Sequence, residues 1–538
     1  MIQKFQSTLV IILIAVGLAV APATVAAADQ LEPVKEINFT SFPKGQQPWV
    51  YQQALMIKEN WEKLGLKVRL EPLNIPHPLI QRLFKEKDFD ATMMEGTGTV
   101  DRLDPDFFLN TVFHSKNAVP GAWNLSGFTD AAYDQLAEAQ KAAYDLAKRQ
   151  QLVWQCQEIL FRQNPWIVTV NNNSIQAYNS ANFDVAKVSI AGFNDAMMLF
   201  STKPKGDKKI FRYGTAMADL KTINPLVFNE SDQFVYVYSI YDTLVRVTPE
   251  GKPDLWAASA LDTVDDTTID VTIRQGMTFH DGQPVTVEDI KFTFDYLAQH
   301  KAVYLLKKIE SVQSVEILSD SKIRFKLKQP YAPFISLTLA TTPIMPKHIW
   351  ENIDKPHEYR NVPPIGSGPF KFDHWRASQE FMMTRHAGHF SPPQLDGVLF
   401  VFFGTGEGVS TALKKKEVDN MVTVSAQQVM ELEELDYIKV LKIPNHTTDG
   451  VILNIRRKPF DDPQFRLALA YTIPREQMVE EIFFGLAGVG ASMIAPQNEY
   501  WHNPNIKPYS YDLEKAREVL KAAGYRRNED GRLCYPPK

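Results

Sequence analysis

Three histidines stand where a metal site would first be sought. His386 and His389 lie three residues apart in RHAGHF, beside the turn-rich segment SPPQ, and His280 precedes the Asp281-Gly282 pair. A protein zinc site needs three or four ligands, and no third ligand stands near the two histidines of RHAGHF. We therefore predict that His386 and His389 lie in a surface loop, and that His280 belongs to an ordinary hairpin-like turn. The sequence predicts no metal site.

Two glycine-rich stretches, EGTGTVDR and GTGEGVSTALKKK, resemble phosphate-binding loops only in composition. The second lacks the Gly-Lys-Ser/Thr ending that grips a phosphate, so we interpret it as a turn. The chain contains neither a G-x-S-x-G elbow nor a His-Glu-x-x-His helix. We predict no catalytic residue and no cofactor. An enzyme remains an alternative, because catalytic triads assemble in space and leave no fixed spacing in sequence.

Length and charge limit the classes of protein. A chain of 538 residues predicts two or three domains with sizeable cores. Its 58 basic and 63 acidic residues nearly balance, for a net charge of −5. This balance gives no electrostatic reason to expect a nucleic-acid partner. Small molecules and proteins remain as partners.

Residues 1–28 have the pattern of a secretory signal peptide. Lys4 is followed by the apolar run LVIILIAVGLAVA and then by small residues that end at Ala28. An uncleaved membrane anchor is the alternative, although the run is short for a membrane span. No cysteine lies near the cleavage site to accept a lipid. The sequence therefore predicts a free periplasmic protein that begins at Asp29.

The chain has only two cysteines, Cys156 and Cys534. Cys156 lies on the apolar stripe of a predicted helix, and Cys534 lies in the terminal segment. In an oxidising compartment the two could form a disulfide. The alternative is one buried thiol and one exposed thiol.

The elements that would position a site alternate between strand and helix. Apolar residues at spacings of three and four predict a helix through Val50 to Leu64, and short alternating strands flank it. Two long helices are predicted between Thr129 and Gln163. This alternation is typical of an α/β fold with a largely parallel sheet. The polar segment STKPKGDKK, 201–209, is the best candidate for a linker.

Several long motifs resemble one protein family, the family 5 extracellular solute-binding proteins. These motifs are LVRVTPEGKPDLWAAS, TIRQGMTFHDGQPVTVEDIKFTFDYL, PIGSGPFKF, LNIRRKPFDDPQFRLALAYTIPREQMVEEIFFG, PYSYDLEKAREVLKAAGY, LGLKVRLEP, DFDATMM and DPDFFLNTVFHS. The family contains the peptide, nickel and oligopeptide receptors of ABC importers. The resemblance implies a type II-like periplasmic-binding-protein fold, in which two α/β lobes, one with an extra subdomain, close over a ligand.

The order of the motifs differs from that of the family, which indicates a circular permutation. The family's last third comes first here, and 201–209 would join the family's usual termini. The predicted division is 1–28, signal peptide; 29–170, part of the C-terminal-type lobe; 171–200, return into the N-terminal-type lobe; 201–209, linker; 210–450, N-terminal-type lobe with the extra subdomain; and 451–538, the rest of the C-terminal-type lobe. A fusion of two receptors and a swapped dimer are the alternatives. Permutation predicts a monomer whose N-terminus lies beside Lys538, with Ile37 to Phe42 continuing the course of Leu533.

The resemblance also implies a ligand site in EGTGTVDRLDPDFFL. In peptide-binding members an aspartate before the Asp-Pro turn receives the ligand's ammonium group, and Asp101 matches that position. The alternative is a loop acid paired with Arg102. Peptide binders tend to carry an aromatic or polar residue at the position of Arg102, which would meet an acidic group of the ligand here.

Three further residues match the family's binding region more loosely. Lys44 falls where peptide binders use a basic side chain for the ligand's carboxylate. Trp123 and Asn124, in GAWNLSGF, match a cleft-facing neighbourhood. Ordinary packing and turn chemistry are the alternative for Trp123 and Asn124.

The function that follows is a periplasmic receptor that captures a peptide-like or other small solute and delivers it to the permease subunits of an ABC importer. A periplasmic sensor or chaperone of the same fold is the alternative. The identity of the solute is left open, because one scaffold serves many ligands.

Overall fold

The computed structural model describes residues 31–537 apart from 97–101, 186–187, 190, 229–232, 249–250 and 303. The predicted signal peptide and Asp101 lie outside the described residues.

Strands occur along the whole described chain. In chain order they are β1 Ile37–Ser41, β2 Val68–Pro72, β3 Ala91–Gly96, β4 Trp166–Asn179, β5 Phe183–Val185, β6 Thr202–Pro204, β7 Ile210–Thr215, β8 Val245–Val247, β9 Pro253–Leu255, β10 Ala258–Asp265, β11 Thr268–Ile273, β12 Val312–Ser319, β13 Lys322–Leu327, β14 Phe370–Arg376, β15 Glu380–Arg385, β16 Gly397–Phe402, β17 Asn420–Met421, β18 Ile438–Leu453, β19 Gly488–Val489, β20 Arg526–Arg527 and β21 Leu533–Cys534.

Helices alternate with these strands. They are α1 Pro48–Lys63, α2 Ala131–Ala142, α3 Leu146–Gln163, α4 Ala196–Ser201, α5 Phe234–Ile240, α6 Val287–Gln299, α7 Leu306–Ile309, α8 Leu339–Thr341, α9 Lys347–Trp350, α10 Gly406–Lys414, α11 Ala426–Glu433, α12 Pro463–Tyr471, α13 Arg475–Glu481 and α14 Leu513–Ala522. Three short π-helical segments are Gln81–Glu86, Phe107–Val112 and Phe334–Thr338. Among the described residues no helix is both long and apolar enough to span a membrane.

One large mixed sheet runs through the molecule, in the order β14-β15-β16-β7-β17-β4-β18-β3-β1-β2, with β19 also paired to β4. A separate antiparallel sheet has the order β10-β11-β13-β12. In the large sheet β1 runs parallel to β2 and β3, and β7 runs parallel to β16 and β17. The other pairs are antiparallel, so the prediction of a largely parallel sheet holds only near β1 and β7.

Two long antiparallel strands, β4 and β18, connect the two ends of the large sheet. Their pairing extends from Asn179 opposite Ile438 to Trp166 opposite Ile452, and the register shifts near the middle, after Pro444. The predicted boundaries at 170/171 and 450/451 fall inside these two strands. The chain therefore passes between the halves of the molecule along continuous strands.

The hydrophobic cores define two lobes. The first lobe packs β1–β3 against α1, α12 and α14, with a neighbouring cluster under α2 and α3. The second lobe packs β7, β14–β16, α5, α6 and the four-stranded sheet around a separate core, with a smaller cluster under α10 and α11. β4 and β18 contribute side chains to the cores of both lobes. A sheet shared by two independent cores allows each lobe to move as a unit.

Local sequence signals explain the long helices of the first lobe. The Asp130 side chain accepts a hydrogen bond from the backbone of Tyr133 at the start of α2, and Asp145 caps α3 in the same way. α3 ends at Asn164, whose φ of 48° is the left-handed conformation that closes a helix before a proline. The two predicted helices are confirmed.

The predicted linker 201–209 is partly wrong. Thr202–Pro204 forms β6, which pairs antiparallel with β5, and Thr202 is fully buried. The Thr202 hydroxyl donates to the carbonyl oxygen of Met198 at 2.7 Å, which explains how a polar residue is buried there. Only the turn at 205–209 remains outside an element.

The prediction of a surface loop for His386 and His389 is wrong. Both side chains are buried, and Nε2 of His389 lies 3.2 Å from Oδ1 of Asp242. Both histidines are thus buried, although the turn-rich segment SPPQ follows them in the chain.

The alternative of an exposed thiol at Cys534 is also wrong, because Cys156 and Cys534 are both buried and neither forms a disulfide.

The two ends of the described chain are neighbours. The backbone N–H of Val34 donates to the carbonyl oxygen of Leu533 at 2.8 Å, and Tyr535 donates to Glu32 at 2.9 Å. This bears out the predicted proximity for the described residues. Pro33 and Cys534 run antiparallel, however, so the N-terminal segment reverses the course of β21 and does not continue it.

Candidate functional site

A cavity of about 250 Å³ lies in the first lobe. It is lined by Phe42, Gln47, Ile75, Leu79, Ile80, Met94, Glu95, Gly96, Arg102, Phe107, Phe108, Val112, Trp123, Leu125 and Trp166. Phe42 directly follows β1 and Gly96 ends β3, so the cavity opens at the carboxyl ends of the parallel strands. Ligands of open α/β sheets bind at this edge.

A larger groove, of about 1110 Å³, lies at the opposite edge of the same strands. It is bordered by Ile37, the first residue of β1, by Asp90, which precedes β3, and by the terminal residues Tyr535–Pro537. Its position at the amino ends of the strands makes it the weaker candidate for a ligand site.

Aromatic rings form much of the cavity wall. Trp123 contacts Phe84 edge to face, with ring centroids 4.9 Å apart, and Phe107 with centroids 5.7 Å apart. Phe107 in turn contacts Phe108. Rings that brace one another in this way lose little freedom when a ligand packs against them, which makes the wall a preorganised apolar surface.

Arg102 places a positive charge against this wall. Its guanidinium carbon lies 4.8 Å from the centroid of Phe107 and 5.8 Å from that of Trp123. Ring faces attract a cation, and a guanidinium group can bind a planar anion such as a carboxylate. The described lining residues therefore combine apolar walls with the guanidinium of Arg102.

Two carboxyl groups face each other at the end of β3. Glu95 and Asp449 are directly opposite in the ladder of β3 and β18, and their side chains share one face. Oδ2 of Asp449 accepts a hydrogen bond from Nε2 of Gln53 at 2.7 Å, and Oδ1 accepts one from Nδ2 of Asn172 at 3.1 Å.

The surroundings of Glu95 and Asp449 favour the protonated form of one of the two carboxyl groups. Burial, together with the charge of Glu95, raises the pKa of Asp449 to about 8. Burial also raises the pKa of Glu95, against the opposing charge of Arg102. Two adjacent carboxyls cannot both ionise cheaply in such a site, so the pair holds a proton near neutral pH. Glu95 is thus a carboxyl group with a raised pKa at the cavity wall.

The predicted site residues differ in where they lie relative to the cavity. Asp101 lies outside the described residues, and its role stays a prediction. Arg102 and Trp123 line the cavity together. Lys44 is exposed in the turn between Phe42 and Gln47, and its side chain is not among those lining the cavity.

Asn124 organises the loop that carries Trp123. Its side chain is fully buried, and Nδ2 donates to the carbonyl oxygens of Phe113, His114 and Phe128 at 2.8 to 3.3 Å. Its Oδ1 accepts hydrogen bonds from Ser126 and Gly127. Both ends of the amide are used within the loop, which supports turn chemistry for Asn124.

Two basic side chains hold the same loop from outside. Arg456 donates to the carbonyl oxygens of Leu125 and Ala118 at 2.9 and 3.0 Å. Nζ of Lys87 donates to the carbonyl oxygen of Ala122 at 2.7 Å. Burial lowers the pKa of Lys87 to about 8, helped by the charge of Arg456. Trp123 is therefore positioned by residues that do not touch the cavity.

The sequence reasoning missed most of the wall. Glu95 carried a usable signal, because a charge that ends the apolar strand ATMM is unusual. Nothing in the sequence indicated Phe107, Phe108 or Trp166 as wall residues, because aromatic residues in apolar segments usually lie in the core.

Two histidines of the second lobe, His280 and His386, have structural tasks. The backbone N–H of Gly366 donates to Nδ1 of His280 at 3.3 Å, so Nε2 carries the proton and donates to the carbonyl oxygen of Gly368 at 3.0 Å. His386 contacts the same carbonyl oxygen through Nδ1. Burial lowers the pKa of His280 to about 4 and also that of His386, which keeps both rings neutral. Within the described part of the chain, no cluster of three His, Cys, Asp or Glu residues is placed to hold a metal ion.

Comparison with known proteins identifies the family. The model for bacterial extracellular solute-binding proteins, family 5, in its middle region, matches residues 252–537. The chain belongs to family 5 of the bacterial extracellular solute-binding proteins. The resemblance stated from the motifs is thereby confirmed, and so is an α/β fold of the periplasmic-binding-protein type. The order of the segments stays a prediction.

Relatives within the family share part of their length with this chain. The glutathione-binding protein GsiB of Escherichia coli strain K12 is 28% identical over 316 residues, which is 57% of this chain and 60% of the relative. GsiB of Shigella flexneri serotype 5b is 27% identical over the same length. The chain thus spans about 60% of the length of these relatives in the match.

One solved structure shows the same fold, and a second is similar to a lesser degree. A periplasmic oligopeptide-binding protein of an ABC transporter from Thermotoga maritima is 20% identical, with a TM-score of 0.50 over 61% of this chain and 66% of that chain. NikZ of Campylobacter jejuni, in complex with Ni(L-His), is 22% identical, with a TM-score of 0.49 over 62% and 66%.

Proposed function

We propose that this family 5 protein is a periplasmic substrate-binding receptor. It captures a peptide-like or other small solute in the cavity of the first lobe, closes its lobes over it, and delivers it to the permease subunits of an ABC importer. The observation that carries the proposal is the cavity at the carboxyl ends of β1 and β3, where the Arg102 guanidinium lies against Phe107 and Trp123. The glutathione-binding and oligopeptide-binding relatives support the same class of ligand.

In this mechanism the protein's groups bind and orient the solute and leave its bonds unchanged. Arg102 receives an acidic group of the solute, Trp123 packs against its apolar part, and Asp101 receives an ammonium group. Closure is favoured only to the extent that the solute makes extra contacts in the closed form.

Native mass spectrometry of the protein purified from a bacterial periplasm is the direct test. A solute recovered bound and chemically unaltered supports the receptor. Calorimetric titration with glutathione and with short peptides then provides an affinity. Copurification with a permease separates an uptake receptor from a sensor or chaperone. If no solute copurifies and none of these compounds binds, the proposal fails.

Substitutions test the roles of the site residues once a binding solute is in hand. Arg102→Ala and Asp101→Ala should each weaken binding about 10- to 150-fold, because each removes a charge-assisted bond of about 1.5 to 3 kcal/mol. Arg69→Ala is the matched control, since Arg69 is an exposed arginine of the same lobe. Lys44→Ala shows whether the exposed turn reaches the solute. Unchanged affinity in the first two variants would refute the assigned roles.

A further inference from the structure

The two lobes touch at points away from the strands that connect them. In the first contact the Ser336 hydroxyl, in the π-helical segment of the second lobe, donates to Oδ2 of Asp104 at 2.5 Å. Beside it the backbone N–H of Ala332 donates to the carbonyl oxygen of Lys141 at 2.7 Å. Both Ser336 and Asp104 are buried, so this contact excludes solvent.

A second contact joins Gly251, just before β9, to the other side of the first lobe. The indole N–H of Trp501 donates to the carbonyl oxygen of Gly251 at 3.2 Å. Gly251 has a φ of +86°, and a Cβ at this position would lie 2.4 Å from Oδ1 of Asn498. The close approach therefore requires glycine in the turn. Nζ of the neighbouring Lys252 lies 4.8 Å from the ring centroid of Tyr500.

Arg149 connects the two contacts. Its guanidinium makes two hydrogen bonds to Asp104, at 2.6 and 2.9 Å, and lies 4.8 Å from the ring centroid of Trp501. The side chains of Arg149 and Asp104 are only 2% and 1% exposed. Burial alone would raise the pKa of Asp104, but Arg149 holds it below its ordinary value. A buried, bidentate ion pair of this kind fixes geometry strongly.

We infer that Asp104, Arg149 and Trp501 form the first-lobe half of an interlobe latch, which Ser336 and Gly251 of the second lobe engage when the lobes close. The ion pair lies within the first lobe and persists in both states. Opening breaks hydrogen bonds between the lobes, among them those from Ser336 to Asp104, from Ala332 to Lys141 and from Trp501 to Gly251. The latch thus biases the balance between open and closed forms by a few hydrogen bonds, which is the scale of such equilibria.

The latch lies directly beside the candidate ligand loop. Asp104 is two residues from Arg102, and the carbonyl oxygen of the intervening Leu103 accepts a hydrogen bond from Nδ2 of Asn498 at 2.8 Å. The same short segment therefore ends in the cavity on one side and in the latch on the other. Only the link to solute binding rests on the proposed function, since the latch itself follows from the contacts between lobes.

Distance measurements between spin labels on the two lobes test the latch without any ligand. Glu518→Cys and Lys355→Cys place labels on exposed sites, since these side chains are 68% and 75% exposed. The native cysteines are buried and would not be labelled. The variants are Ser336→Ala, which removes one hydrogen bond, and Trp501→Phe, which removes one hydrogen bond and part of a buried ring. Ser410→Ala, a buried serine of the second lobe, is the control.

We expect the population with the short distance between labels to decrease about three- to tenfold in each latch variant, and by more in the double variant. This decrease corresponds to the loss of about 1 kcal/mol per hydrogen bond. The control should match the parent protein. A merely structural role would lower the melting temperature without changing the distances. If Ser336→Ala, Trp501→Phe and their combination all leave the distances unchanged, the inference is overturned. Because no solute is present, that failure is distinct from failure of the proposed function.

Discussion

At the residue scale, the pairing of Glu95 with Asp449 has the most direct consequence for stability. The pKa of the Asp449 carboxyl group is raised to about 8 in the folded protein, while an aspartate in the unfolded chain ionises near pH 4. Between these values the folded protein binds a proton that the unfolded chain lacks. Stability from this group is therefore present at low pH and is lost as the pH rises toward 8.

Other groups also titrate between pH 6.5 and 8, because burial lowers the pKa of Lys87 to about 8 and that of His280 to about 4. The effect of Asp449 is therefore measured as the difference in the free energy of unfolding between the parent and Asp449→Asn. Urea denaturation should show this difference falling by about 1 to 2 kcal/mol from pH 6.5 to pH 8. The exposed Asp530→Asn is the control and should follow the parent across the window. A difference that does not change with pH would contradict the assignment.

At the element scale, the start of α6 shows how a local signal becomes a tertiary contact. Oδ2 of Asp289 accepts hydrogen bonds from the backbone and hydroxyl of Thr286 at 2.9 and 2.7 Å, in a relative of the capping box. Oδ1 accepts a third from the backbone of Lys347, at the start of α9. One carboxylate therefore caps α6 and also holds a second helix.

We expect Asp289→Ala to destabilise the protein by about 2 to 3 kcal/mol, because it removes the acceptor of three partly buried hydrogen bonds. Glu288→Ala is the matched control, as an exposed acid in the same helical turn, and should change stability by less than about 0.5 kcal/mol. Urea denaturation at pH 7 measures both. Equal effects would mean that the cap contributes nothing beyond helix-dipole electrostatics.

At the scale of the whole molecule, the order of the segments is the open question, and we propose a circular permutation. The described ends are joined by backbone hydrogen bonds of 2.8 and 2.9 Å, and the turn at 205–209 is largely exposed. Permutation between two such surface positions needs no rearrangement of either core.

A chain rebuilt in the family's order tests this proposal. It would start in the turn 205–209, join Pro537 to Leu31 by a short Gly/Ser linker, and end in the same turn. We expect a monomer with the circular dichroism spectrum and melting temperature of the parent. Analytical ultracentrifugation of both chains provides the mass. An obligate dimer of the parent would indicate swapping, and a rebuilt chain that does not fold would contradict permutation.

The sequence by itself determined the features that depend on near neighbours. Such features arise from residues a few positions apart in the chain. They include the amphipathic spacing of α1, the capped starts of α2 and α3, the cap that Asp289 forms with Thr286, and the family motifs. Arg102 and Trp123 were also predicted from the family segments in which they stand, although Arg102 departs from the residue types of the peptide binders, and their role in binding stays a prediction. Local propensity and motif chemistry suffice for these features.

Only the tertiary structure decided which distant groups meet. Gln53 and Asp449 are 396 positions apart in the chain and share a hydrogen bond. The prediction of exposed histidines was wrong for the same reason, since His389 is buried beside Asp242, which is far away in sequence. Burial and pKa depend on the density of surrounding atoms, which sequence spacing does not specify. The cavity wall, the retained proton and the interlobe latch therefore became visible only when the chain was folded.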